Sequence, residues 1–188
     1  MGVIILGLIL FLVVGAIMYF VAIYNGLIRL KHNVDKAWSN IGVLLKQRHD
    51  EIPKLIKVCE GHMKYERETL QRVTEARTAC MGATTVGQAA QSENMLAGAL
   101  KSLFAVAENY PDLKANQSFL QLQGRVTSLE NNIADRREFY NESVNNYNIR
   151  IQQLPDVFVA NMMNMSAKEL FQITEEDKKD VDINFNMT

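Results

Sequence analysis

The chain has 188 residues, 48% of them hydrophobic and 22% charged, and a formal net charge of -1. A balance this close to neutral supplies no broad basic field, which argues against nucleic acid as a partner. Its two cysteines, Cys59 and Cys80, fall on what reads as one long helix, where their spacing corresponds to about 30 Å against a Cα limit of roughly 7 Å for a disulfide, so they read as ordinary buried thiols.

The first element is the apolar run from Val3 to Ile23, which contains no charged side chain. As a helix it spans about 31 Å, matching a hydrocarbon core of about 30 Å, and it is predicted to be one transmembrane helix. A cleavable signal peptide fits less well. Such a peptide wants a basic start, a shorter apolar region and a small-residue cleavage site, whereas no Lys or Arg precedes this run and bulky Tyr19, Phe20 and Tyr24 close it. No cysteine lies near it to accept a lipid, and Leu6 stands where myristoylation wants Ser or Thr. Arg29, Lys31 and Lys36 follow the run, so the positive-inside rule puts the N-terminus outside and the bulk of the chain in the cytoplasm.

Only Asn25-Gly26 separates the run from a helical stripe of Leu27, Leu30, Val34, Ala37, Ile41 and Leu44, continued by Ile52, Leu55, Cys59, Met63, Leu70 and Val73. Pro53 sits inside it and removes the backbone bond to the carbonyl of His49. The pattern favours a kinked continuous helix over a hairpin at this point, and leaves both open. Around 81–91 charge disappears while Gly82, Thr84, Thr85 and Gly87 gather, predicting an interhelical loop. Ser92-Glu93 then opens a helix whose apolar face is Met95 or Leu96, Leu100, Leu103 and Val106, ending at a break near 110–113. The longest stripe follows: Phe119, Leu122, Val126, Leu129, Ile133, Tyr140, Val144, Tyr147, Ile151 and Leu154, interrupted by Arg136 and closed by a break at Pro155. Beyond it, Val157, Phe158, Val159, Met162, Met163 and Met165 form a Met-rich patch that can cover the bundle, touch lipid or hold a partner, bundle covering being the plainest reading. Ser166 to Glu169 fits a capping box for a short helix through Phe171. The expected organisation is an anchor over 1–24, a helical bundle over 25–172 and an acidic tail over 173–188. The fold class is all-α: a transmembrane helix continuing into an elongated antiparallel bundle of long, coiled-coil-like helices.

Constellations with chemical potential are few. Cys59, His62 and Glu66 share a helical face and can offer a transition metal three donors, but no second ligand cluster accompanies them, and a core thiol with a solvated rim is the preferred reading. Neither Glu-x-x-His nor His-Glu-x-x-His occurs. Gly82 to Gln88 has the glycine spacing of a phosphate loop, yet Gln88 and Ala89 replace the Lys and Ser/Thr that the chemistry needs, so a turn is expected. Arg136, on the apolar stripe, is expected to snorkel or to meet a carboxylate, and Glu130 with Arg137 reads as structural ion pairing. No catalytic, cofactor-binding or metal residue is assigned.

Several words of the sequence resemble the LemA family of bacterial membrane proteins: Tyr24-Asn25, Ala37-Trp38-Ser39-Asn40-Ile41, Leu45-Lys46-Gln47-Arg48-His49-Asp50, Ile52-Pro53, Tyr110-Pro111-Asp112-Leu113-Lys114-Ala115-Asn116, Phe119, Glu130, Ile133-Ala134, Arg136, Tyr140-Asn141 and the ending Val181-Asp182-Ile183-Asn184-Phe185. The resemblance implies a single-pass protein of the bacterial inner membrane with no agreed enzymatic activity, and magnetosome-associated relatives imply roles in membrane organisation. With no catalytic constellation in the residues, the expected function is that of a membrane-anchored scaffold, not an enzyme, acting through its helical surface as a homo-oligomer. Its expected partners are the lipid bilayer and further copies of itself. The alternative is an accessory subunit or adaptor with an unknown membrane or cytoplasmic protein partner.

Overall fold

The apolar run and the first stripe fold as a single helix, α1 (Gly2–His62), in a computed structural model that describes residues 1–172. The expected acidic tail over 173–188 lies outside the described residues. Five helices follow: α2 (Arg67–Gly82), α3 (Val86–Ala107), α4 (Pro111–Lys114), α5 (Gln117–Arg150) and α6 (Asp156–Met162). No strand occurs among the described residues, so the chain is all-α.

Pro53 lies inside α1 without ending it. The helix stops nine residues later, whereas the sequence pattern carries it on to Cys80: the chain turns at 63–66 and returns as α2. A helix continued to Cys80 would hold Leu70, Val73, Ala76 and Cys80 away from Ile52, Leu55 and Cys59. Doubling back puts all seven into one buried cluster, and this hydrophobic gain decides against continuation. Cys59 and Cys80 are therefore on different helices, both buried and both free.

The loop expected over 81–91 is shorter, because Thr85 caps α3 by accepting a hydrogen bond from the Gln88 N–H at 3.1 Å. Ser92 and Glu93, read as a helix start, are instead buried inside α3. At the next connection Pro111 occupies the first turn of α4, and the Asn116 side chain accepts from the Phe119 N–H at 3.2 Å to cap α5.

The chain divides into two compact units. One comprises Asn40–Glu138 with the chain from Glu169; the other comprises Met1–Ser39 with Phe139–Lys168. In the first, the C-terminal part of α1, with α2, α3 and most of α5, makes an antiparallel four-helix bundle. Arg77 on α2 meets His49 on α1, Arg137 on α5 meets Asn94 on α3, and Phe104 on α3 stacks edge-on with Phe119 on α5. Its core runs from Ile52 and Leu55 through Leu96, Leu100 and Leu103 to Phe119 and Val126. Four of the long-stripe residues here, Phe119, Leu122, Val126 and Ile133, are buried. Arg136 is exposed, so the inward cation is its neighbour Arg137, which donates to the Asn94 side chain at 3.1 Å and stands 5.9 Å from the centre of the Phe171 ring.

In the other unit Leu27, Val34, Ala37, Tyr140, Val144, Tyr147 and Ile151 are buried, and Trp38 packs on Tyr140 with ring centres 5.3 Å apart. The stripe ends at Ile151: α5 stops at Arg150, before a turn, and Leu154 is 75% exposed. The capping-box helix over 166–171 does not form, because its backbone groups are claimed elsewhere. Tyr147 donates to the Ser166 carbonyl at 3.1 Å, and the Asn148 side chain pairs with both the N–H and the carbonyl of Lys168, at 2.8 and 2.9 Å. α6 closes on Asn164 in the left-handed region, φ 51°, with Met165 N–H bonded to the Ala160 carbonyl.

Ile133→Asp places a carboxylate in the four-helix core and is expected to cost at least several kcal/mol. Circular dichroism melting checks this; an unchanged transition would mean that the stripe is not core.

Candidate functional site

The site begins with the proline. A residue with an N–H at position 53 would bond the His49 carbonyl; Pro53 cannot, and leaves that acceptor without its helical donor. The replacement comes from the neighbouring helix: Arg77 Nε donates to the His49 carbonyl at 2.9 Å. α1 thus passes through Pro53 with its polar group satisfied, and α2 is fixed in register against it.

One residue before His49, Arg48 is 1% exposed, the largest fully buried side chain of the chain's described part. Its guanidinium forms ion pairs with Glu93 of α3 and Glu130 of α5. Glu93 is also bonded through Oε1 to His49 Nε2 at 2.9 Å. Glu93 has its carboxylate paired to a guanidinium and can only accept, so the imidazole carries its proton on Nε2. Burial, then the guanidinium charges of Arg48 and Arg77, lower the His49 pKa from 6.5 to about 4, against a smaller opposing influence of Asp50. His49 is therefore neutral at pH 7, and the two guanidiniums balance the two carboxylates. Four helices meet at this node, each supplying at least one of its charges.

Cys80 completes the cluster: donor atoms of His49, Cys80 and Glu93 lie within 4.8 Å of one another. That spacing suits a transition metal, but the Glu93 oxygens already face His49 and Arg48, and two guanidiniums would confront an incoming cation. The arrangement is that of an ion-pair core. Burial raises the Cys80 thiol above its usual pKa and pushes Cys59 up to about 11, so neither thiol is a nucleophile at neutral pH.

The other sequence candidates are dispersed. Cys59 is in the core, His62 Nε2 lies 3.5 Å from the Asn116 amide, and Glu66, beyond the end of α1, accepts from Tyr110 Oη at 3.0 Å. Their expected common face is lost because α1 ends at His62. Gly82 to Gln88 is a turn, and the Gly87 N–H at the start of α3 is met by Glu169 Oε2 at 3.3 Å. Glu93 was missed as a node residue because a carboxylate after a serine reads as a helix start. Glu130, which by its spacing reads as structural ion pairing with Arg137, instead pairs with Arg48 across the bundle.

The sequence pattern of the LemA family matches residues 37–185. The chain belongs to the LemA family. Among its relatives is Protein LemA of Metamycoplasma hominis, 28% identical over 178 residues that cover 92% of this chain and 80% of that one. Another is Magnetosome protein MamQ 2 of Paramagnetospirillum magneticum, 23% identical over 79% of this chain and 64% of the relative; the chain thus spans just under two thirds of that protein. Seen on this LemA-family structure, the words that carried the resemblance have physical work. Arg48, His49, Pro53 and Glu130 build the node, while Tyr110, Pro111 and Asn116 build the turn into α5.

Arg48→Met leaves buried Glu93 and half-buried Glu130 without their cation and is expected to cost about 3–5 kcal/mol, part of it regained on adding Glu93→Gln; denaturant melts of the single and double variants measure both. Arg77→Met should cost about 1–3 kcal/mol by orphaning the His49 carbonyl. Adding Pro53→Ala should return much of that, because it restores a backbone donor; strictly additive losses would break the link. For His49, the folded pKa of about 4 lies below the unfolded 6.5, so the unfolded chain binds the proton first. Its contribution is complete above pH 6.5 and is lost as pH falls towards 4, at most about 3 kcal/mol. His49→Gln keeps a donor to Glu93 and should flatten that part of the stability–pH curve.

Proposed function

We propose that this LemA-family chain is a membrane-anchored structural protein, held in the bacterial inner membrane by α1 and working through the surface of its helices by self-assembly. The observation that carries the reading is the N-terminal part of α1: an 18-residue window with mean hydropathy 2.9, none of it buried within the protein. A helix so apolar and so uncovered needs a hydrocarbon environment. Support for action through the surface comes from the node. The one concentration of charged, histidine and thiol groups in the described bundle turns inward, with Arg48 1% and Glu93 6% exposed and His49, Arg77 and Glu130 half-buried, and its carboxylates are paired to Arg48. What the bundle offers to other molecules is its exterior. Arg29, Lys31 and Lys36 after the span favour a cytoplasmic bundle and an outside N-terminus. Magnetosome proteins stand among the relatives, in keeping with the role in membrane organisation that the sequence resemblance implies.

Cysteine-directed or photo-crosslinking in intact cells is the test. Self-adducts at full-length multiples of the 21.3 kDa chain are expected. A single reproducible foreign partner without self-adducts would replace this reading by that of an adaptor subunit, and release of the chain from membranes by carbonate would remove the anchor.

A further inference from the structure

In the unit that holds the apolar span, α1 is uncovered until Ile23; from there Ile23 is 7%, Leu27 0% and Val34 2% exposed. Within that unit the segment available to cover them is 139–168. α1 and α5 are antiparallel, and Trp38 packs on Tyr140. Counting back along α1 and on along α5 from that pair sets Ile28 level with Arg150, the last residue of α5. The turn after α5 therefore begins about 7.5 Å along α1 from Ile23, where the apolar span ends.

α6 then presents two faces. Asp156, Val159 and Ala160 are buried, whereas Phe158 is 69% and Met162 61% exposed, with Leu154 75% exposed in the turn before them. These three apolar side chains follow at four-residue intervals, so Phe158 and Met162 occupy one outward stripe of the helix. The acid of α6 does not oppose a lipid surface, because Asp156 is buried in an ion pair with Arg150. Exposed Arg29 and Lys31 stand about two turns further along α1 from Ile23, at the level expected of phosphate headgroups. Three large apolar groups left in water would be costly and prone to association; at the height of a bilayer interface they have a partner already in place.

We propose that Leu154, Phe158 and Met162 form a second membrane contact, a shallow foot inserted into the interfacial layer of the same bilayer that α1 crosses. This rests on reading residues 3–23 as a span. The foot adds a second point of attachment beside the helix, and so restrains rotation of this unit about α1.

The test uses the full chain reconstituted in phosphatidylcholine–phosphatidylglycerol vesicles. Trp38→Phe removes the single native tryptophan, and one tryptophan is then introduced by Phe158→Trp, by Phe11→Trp within the span, or by Leu120→Trp on the exposed four-helix surface. Lipids brominated near the headgroup should quench the Phe158→Trp variant and shift its emission to the blue, deep-brominated lipids should quench Phe11→Trp, and neither should affect Leu120→Trp. Quenching of Phe11→Trp without Phe158→Trp overturns the foot while the span stands. Failure of both removes the span and the foot with it. A Phe158→Trp variant shielded from aqueous acrylamide yet untouched by brominated lipid would also overturn the proposal, in favour of a protein occupant.

Discussion

A carbonyl deprived of its donor is the constraint on which the four-helix unit turns. Pro53 removes the N–H that the His49 carbonyl would otherwise accept, and an unpaired carbonyl at a helix interface is expensive. Arg77 supplies the missing donor from α2, which ties the second helix to the first at one height. His49 and Arg48 then reach Glu93 and Glu130 at that same height, so the third and fourth helices are tied there too. A bundle held only by its apolar stripes can slide by a turn with modest loss. One held by matched charges in its interior cannot, because a shifted register would leave a carboxylate or a guanidinium buried alone.

Such a node is not a source of stability in proportion to its charge. Desolvating Arg48 and Glu93 fully, and Glu130 and Arg77 in part, offsets much of their attraction, and apolar replacements of the whole set could be as stable. Its contribution is to choose one arrangement, which suits a chain whose remaining core is built mainly of leucine, valine and alanine, residues that pack in more than one way. The neutrality of His49 belongs to the same economy: between two guanidiniums, a protonated imidazole would add a third positive charge to a site with two negative ones.

Periodicity made the helices legible from sequence, and the apolar side chains of the stripes at Leu27 to Ile41 and at Phe119 to Ile151 are buried as their spacing requires, except for half-buried Leu30 and Leu129. Where the chain reverses was harder to read. The turn at 63–66 carries no proline, while Pro53, the strongest breaking signal, is absorbed by a side chain from another helix that no local window contains. The same limit hid the node. Arg48 and Glu130 were visible as distinctive residues, but their meeting spans 82 positions of sequence, and a charged residue in an amphipathic pattern defaults to the solvent side. At 166–171 a valid capping signal lost to tertiary hydrogen bonds from Tyr147 and Asn148.

The most direct test of this account is the protonation state of His49 in the folded, full-length chain in detergent micelles, read from its imidazole nitrogen shifts by NMR and assigned with a His49→Gln control. The account predicts a neutral ring with the proton on Nε2 throughout the physiological range, titrating near pH 4. A ring that is charged at pH 6, or one that titrates freely at its ordinary value while the chain stays folded, would mean that the desolvated four-helix node does not exist as described.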